Sequence, residues 1–70
     1  MSKEKTSELK RIAKKNGWWI LREGGCHEIW TNGLLTEPIK RSPLTGHGLF
    51  EKSKKKFEAY PGPVEGKFYK

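Results

Sequence analysis

Apolar residues near the start of the chain recur at the spacing of an α-helix. Within residues 6–16 they fall at positions i, i+3 and i+4: Leu9, Ile12 and Ala13. Lysine and arginine fill the positions between them, so the pattern predicts an amphipathic helix with one buried stripe and one basic face. Thr6 or Ser7 is expected to cap the first turn, and Asn16-Gly17 is expected to end the helix.

Two segments rich in aromatic and β-branched residues follow the helix, 18–23 and 26–31. Such segments favour strands, and Gly24-Gly25 between them can adopt the positive φ angles of a tight turn, so we expect a β-hairpin. A two-residue loop sets these cross-strand pairs: Glu23 with Cys26, Arg22 with His27, Ile20 with Ile29, Trp19 with Trp30 and Trp18 with Thr31. Because cross-strand partners share a face, Arg22 and His27 are expected side by side.

A second turn and a third strand are predicted after the hairpin. Asn32-Gly33 favours a tight turn, residues 34–39 then return as a strand, and Pro38 confines that strand to an edge or ends it. The alternation of residues along the hairpin does not decide which face of the sheet is buried. The two candidate faces carry Trp18, Ile20 and Ile29 on one side, and Trp19, Leu21 and Trp30 on the other. The tryptophans left outside could stack on unpaired bases or pack against a partner.

Residues 49–59 predict a second helix after a glycine-containing loop. Five residues lie roughly on one side of it: Leu49, Phe50, Ser53, Phe57 and Tyr60. Pro61-Gly62-Pro63 ends it, and residues 61–70 are expected to form a flexible C-terminal tail after a domain of residues 1–60. The order αβββα predicts an α+β fold, in which a three-stranded antiparallel sheet carries two helices on one face.

Length and charge narrow the possible partners. The chain has 70 residues, enough for one small domain, and 15 Lys and Arg against 8 Asp and Glu give a net charge of +7. This balance favours nucleic acid or an acidic protein surface.

One cysteine and two histidines are too few for a structural zinc site, and neither a metal nor a small-molecule cofactor is expected. No apolar run resembles a signal peptide or a membrane span, which predicts a soluble cytoplasmic protein without membrane contact.

Three short motifs carry a family resemblance: Gly17-Trp18 after the first helix, Arg22 at the end of a strand, and Gly25-Cys26-His27 at the start of the next. Together with the order of elements, over roughly residues 6–60, they resemble the HicA family of toxins. The resemblance implies the fold of the double-stranded-RNA-binding domain and a metal-independent endoribonuclease activity toward messenger RNA. It also implies a protein partner, a HicB-type antitoxin encoded beside the toxin.

Two positions depart from the family pattern. Cys26 stands where serine is usual, which replaces one small side chain by another, although a thiol can be oxidised. The stretch 38–41 reads Pro-Ile-Lys-Arg, where many relatives carry Pro-X-His. This chain therefore works without that second histidine or uses His47 in its place.

His27 is the candidate catalytic residue. Cleavage of RNA without a metal needs a base for the 2′-hydroxyl proton, an acid for the leaving 5′-oxygen and cations around the phosphate, and imidazole titrates near neutral pH. Arg22 beside His27, with Lys40 or Arg41 from the third strand, is expected to hold the phosphate. Three candidates could supply the second proton transfer: water, Glu28 and His47.

Further residues around this site have simpler expected roles. Lysines on the two helices could contact other phosphates: Lys10, Lys14, Lys15, Lys54 and Lys55. Gly24 and Gly25 are expected to supply turn geometry, and Cys26 is expected to be a small packing residue at the start of the strand.

Other interpretations of the same residues stay open. A lone histidine on a strand is more often structural or simply exposed, and basic helix faces are commonly only solvated. Without cleavage, the chain would be an RNA-binding module of the same fold. A third class is a basic adaptor for an acidic protein partner, which predicts salt-sensitive binding to that partner and indifference to RNA.

Overall fold

A three-stranded antiparallel sheet and two helices organise the chain. The computed structural model describes residues 3–69, with these elements: β1 Lys3–Lys5, α1 Thr6–Lys15, β2 Trp19–Gly24, β3 His27–Thr31, β4 Thr36–Lys40, β5 Leu44–Gly46 and α2 His47–Ala59. The larger sheet has the order β2-β3-β4, and β1 pairs with β5 in a separate two-stranded sheet. The predicted α+β class is confirmed, and β1 and β5 are additions to it. Residues 1 and 2 of the predicted domain and residue 70 of the predicted tail lie outside the described residues.

The start of α1 is held by β5 and the loop before it. The predicted cap by Thr6 or Ser7 is wrong, because Lys5 is the N-cap residue and no side chain caps the helix. The Thr6 amide instead donates to the Pro43 carbonyl at 3.0 Å, and its hydroxyl bonds to the Thr45 hydroxyl at 2.6 Å. The helix therefore depends on a distant part of the chain for its first turn.

The hairpin turns at Gly25-Cys26, one residue later than predicted. The observed cross-strand pairs are Gly24 with His27, Glu23 with Glu28, Arg22 with Ile29, Ile20 with Trp30 and Trp19 with Thr31. The predicted pairing of Arg22 with His27 is wrong, and so are the positive φ angles expected at Gly24-Gly25. A bulge in β2 at Leu21 accommodates the extra residue and brings the end of the hairpin into register.

The turn after β3 is built on Asn32. Its side-chain oxygen accepts hydrogen bonds from the amides of Leu34 and Leu35, at 2.9 Å and 2.7 Å. Because these bonds keep both leucines in the turn, β4 begins at Thr36 and not at residue 34 as predicted. Pro38 is exposed on an edge strand of the sheet, as predicted.

Both helices pack on one face of the sheet, here named the inner face; the opposite face is the outer face. The core consists of Leu9, Ala13, Trp18, Trp30, Ile39, Phe50 and Phe57. Trp30 and Ile39 are the contributions of the sheet. Trp18 precedes β2 and packs edge-on against Phe57 of α2, with ring centroids 4.8 Å apart and an interplanar angle of 67°.

The buried residues match neither of the two sets predicted for the faces of the hairpin. Trp18 and Trp30, which alternation assigned to opposite faces, are both buried because Trp18 lies outside the strand. Trp19 is half-buried. Two of the three tryptophans therefore lie in the core, and base stacking by a tryptophan stays a prediction for Trp19 alone.

The second helix begins at His47, earlier than the predicted residue 49, and ends at Ala59 as predicted. Three of its residues face the core: Phe50, Ser53 and Phe57. Leu49 and Tyr60 were expected on the same side but are 60% and 54% exposed.

The segment after α2 has neither helix nor strand, and its backbone contacts two turns of the domain. Three of its amides donate hydrogen bonds to these turns: Gly62 to Asn16 at 2.7 Å, Val64 to Asn32 at 2.6 Å and Phe68 to Gly33 at 2.6 Å. Gly17 and Gly33 have φ angles of 83° and 112°, and the segment leaves no room for a Cβ at either residue. The flexibility expected of residues 61–70 and the boundary after residue 60 stay predictions.

Candidate nucleic-acid interface

His27 is the first residue of β3, the middle strand of the larger sheet. It follows the Gly25-Cys26 turn directly, and its side chain is exposed. Its neighbours across the sheet are Gly24 on β2 and Lys40 on β4. The imidazole is therefore held on a rigid strand at one end of the sheet and stays open to solvent.

Two cations lie at the same end of the sheet as His27. Lys40 is its cross-strand partner on β4, and Arg41 follows at the end of that strand. The Arg41 amide donates to the Cys26 carbonyl at 2.8 Å, which ties this arginine to the residue before His27. Its guanidinium lies 4.0 Å from the Glu23 carboxylate, and both side chains are about half exposed, so this pair is weak.

Arg22 is not the cross-strand partner of His27. The observed register places it across from Ile29, two positions from the Gly24–His27 pair, so Arg22 and His27 are diagonal neighbours on the outer face. Of the expected phosphate ligands, Lys40 lies directly across from His27, Arg41 is tied to the residue before it, and Arg22 lies diagonally across from it.

A groove of about 230 Å³ runs along the free edge of β4 and reaches His27. Its lining residues are Leu9, His27, Glu37, Pro38, Ile39, Lys40, Thr45, Leu49, Lys52 and Ser53. Lys40 and Lys52 are exposed cations on its walls, and Leu49 of α2 is an exposed apolar contact. The groove thus joins the histidine to two positive charges and a small apolar surface.

The other expected lysines divide into two groups. Lys10 forms an ion pair with Glu28 at 3.2 Å, so it joins α1 to the sheet. The rest lie on the helices at exposed or half-buried positions: Lys14, Lys15, Lys54 and Lys55.

The candidates for the second proton transfer have other partners. Glu28 is only 8% exposed, and besides Lys10 its carboxylate accepts a hydrogen bond from the indole of Trp30 at 3.2 Å. His47 begins α2, not a loop as expected, and its ring nitrogen lies 3.3 Å from the carboxylate of Glu4. Both side chains are therefore engaged by neighbours, and the source of the second proton transfer stays a prediction.

Lys52 and Leu49 line the groove, although the sequence did not single out Lys52 and placed Leu49 only on the apolar side of the second helix. They lie three positions apart on α2, the spacing that puts two side chains on one helix face. Helical spacing alone could have grouped them, but only the packing of α2 beside β4 connects them to His27.

Comparison with protein-family models, with curated proteins and with solved structures finds no match to this chain. Over residues 3–69, no three histidine, cysteine or acidic side chains gather as a metal site requires. No helix in that same part of the chain has both the length and the apolar character needed to cross a membrane.

Proposed function

We propose that this protein is a HicA-like toxin, an endoribonuclease that cleaves messenger RNA without a metal, on a fold of the double-stranded-RNA-binding-domain type. The observation that carries the proposal is the position of His27, exposed on the middle strand, opposite Lys40 and close to Arg41. A net charge of +7 and the order of α1, β2-β3-β4 and α2 also support it.

In the proposed reaction, His27 takes the proton from a ribose 2′-hydroxyl. The 2′-oxygen then bonds to the adjacent phosphorus, the bond from phosphorus to the 5′-oxygen breaks, and a 2′,3′-cyclic phosphate forms. The leaving 5′-oxygen takes a proton from water or from the protonated imidazole. Lys40 and Arg41 stabilise the negative charge that grows on the phosphate oxygens. Because only one histidine is available for the two proton transfers, we expect slow turnover.

The proposed partner for regulation is a HicB-like antitoxin, and the proposed location is the cytoplasm. A partner that silences the enzyme would need to cover the His27 end of the sheet. Because Lys40, Arg41 and Lys52 surround this region, an acidic surface would complement it.

The experiment is cleavage of a long messenger RNA by the purified protein in EDTA, over a range of pH. Three proteins are compared: wild type, His27→Ala and His47→Ala. His47 is the matched control, since it is the other histidine, is also exposed and contacts Glu4. We expect wild type and His47→Ala to cleave and His27→Ala to leave the RNA intact, while circular dichroism shows the same fold in all three.

Cleavage by His27→Ala at the wild-type rate would contradict the catalytic assignment. Intact RNA with all three proteins, but with binding still detectable, would indicate an RNA-binding module of this fold. Indifference to RNA, with salt-sensitive binding to an acidic protein, would indicate the adaptor.

A further inference from the structure

A second groove lies on the outer face of the sheet, away from the helices. Its volume is about 570 Å³, and its lining residues are Leu21, Arg22, Ile29, Thr36 and Phe68. They provide aliphatic walls, an aromatic ring, a hydroxyl group and a guanidinium, and none of them is acidic.

The β2 bulge and the C-terminal segment build this groove together. At the bulge, Arg22 pairs with Ile29 and Leu21 is the extra residue, and all three line the groove, which brings apolar and cationic side chains to one place. Phe68 arrives from the end of the chain, where its amide donates to the Gly33 carbonyl at 2.6 Å. The aromatic side of the groove therefore comes from a segment that has no strand or helix of its own.

The ring of Phe68 is half-buried, and a second cation lies over one of its faces. The Lys67 ammonium is 5.6 Å from the centre of this ring. Arg22 supplies one positive charge to the lining of the groove, and Lys67 supplies another at its aromatic ring. A flat aromatic group attached to a phosphate matches this combination, since the ring would stack on Phe68 and the phosphate would meet a cation.

The groove lies close to His27 along the same strand. Ile29 is two residues from His27, so strand alternation puts both side chains on one face, about 6.6 Å apart along β3. A single strand of RNA with its scissile phosphate at His27 would carry its neighbouring nucleotide toward this groove.

We propose that the outer-face groove binds one unpaired base of the RNA, next to the cleavage site, by stacking on Phe68. Arg22 and Lys67 contact the adjoining phosphates. This assignment rests on the proposed ribonuclease function, and it makes single-stranded RNA the preferred substrate, because a base within a duplex cannot reach the ring.

The test uses the His27→Ala protein, which we expect to bind RNA without cutting it, and a short single-stranded RNA in which each nucleotide in turn is made abasic. We expect one abasic position to weaken binding about 10-fold, the loss typical of a missing base–aromatic stack. In a Phe68→Leu variant of the same protein, which keeps apolar bulk but has no ring, that position should cease to matter. Phe68→Trp should restore the effect.

Tyr69→Ala is the matched control, since Tyr69 is the adjacent aromatic residue, is 46% exposed and does not line the groove. It should keep the abasic effect, and thermal unfolding checks that each variant folds.

An abasic effect that is missing, or that persists in Phe68→Leu, overturns the base site even if the wild type cleaves RNA. A Phe68-dependent effect together with a wild type that does not cleave would overturn the catalytic proposal and leave the base site standing. A protein that binds no RNA overturns both.

Discussion

Lys56 of α2 lies 3.2 Å from the Glu37 carboxylate of β4. The same carboxylate accepts a hydrogen bond from the Ser53 hydroxyl at 2.8 Å and is only 9% exposed. On the other side of the inner face, Lys10 of α1 pairs with Glu28 of β3. Each helix is thus joined to the sheet by one lysine–glutamate pair, and the core of this small domain is flanked by charge as well as by apolar contacts.

The first prediction concerns Glu37. Glu37→Ala should lower the free energy of unfolding by about 1–3 kcal/mol, because the buried Ser53 hydroxyl loses its acceptor and Lys56 keeps only its bond to the Thr36 carbonyl. Glu23→Ala is the control, since Glu23 is half exposed and its partner Arg41 is 4.0 Å away, and it should change stability by less than about 0.5 kcal/mol. Urea unfolding followed by fluorescence measures both values. Equal losses in the two variants would contradict a structural role for the buried pair.

The sequence predicts the elements of this fold well where local periodicity decides them. Leu9 and Ala13 repeat at helical spacing, and Phe50 and Phe57 do the same, so both helices appear with nearly the predicted bounds. Pro38 marks an edge strand because it cannot donate to a neighbouring strand. These signals depend on residues close together in the chain.

The register of the hairpin could not be predicted in the same way. A turn at Gly24-Gly25 and a turn at Gly25-Cys26 are both allowed locally, and the choice between them depends on the packing of Trp30 and on the bulge at Leu21. This single difference moves Arg22 from the position directly across from His27 to a diagonal one. The predicted neighbours of His27 are therefore correct in part, since Lys40 lies directly across from it and Arg22 does not.

Contacts with the C-terminal segment lie beyond what local patterns reveal. Gly17 was interpreted as the end of a helix, which is correct, but nothing near it in the sequence indicates that Gly62 packs on its backbone. Phe68 likewise follows a polar stretch with no periodicity. Its place on the outer face depends on a hydrogen bond to Gly33, which lies far earlier in the chain.

The second prediction compares Gly17 and Gly25, two glycines that the sequence places in turns. Gly17→Ala should lower the free energy of unfolding by more than about 1 kcal/mol, since the residue has a φ of 83° and its new Cβ would collide with the Gly62 carbonyl. Gly25→Ala should change it by less than about 0.5 kcal/mol, because no atom lies within 4 Å of a Cβ built there. Thermal unfolding measures both. An unchanged midpoint in Gly17→Ala would mean that the segment does not pack on this turn.

The third prediction uses the only cysteine, Cys26, which is exposed in the turn before His27. A bulky maleimide should label it in the folded protein, and the labelled protein should lose RNA cleavage because the attached group blocks access to the imidazole. Cys26→Ser, treated in the same way, should stay unlabelled and active. Full cleavage by the labelled protein would place the active site away from this end of the sheet.

The last prediction tests whether Lys40 contacts a phosphate or only adds to the general charge. In the His27→Ala protein, Lys40→Ala should reduce the slope of log affinity against log salt by about 0.7, the value for one phosphate contact on a single strand. Lys3→Ala removes the same charge from an exposed lysine on β1, which belongs to the other sheet, and should leave the slope nearly unchanged. Each substitution removes one positive charge, so the weaker long-range attraction should lower the RNA affinity of both variants to a similar extent. A slope that falls equally in both would therefore argue against a phosphate site beside His27, whereas a fall confined to Lys40→Ala would place the RNA backbone at the strand pair that holds the imidazole.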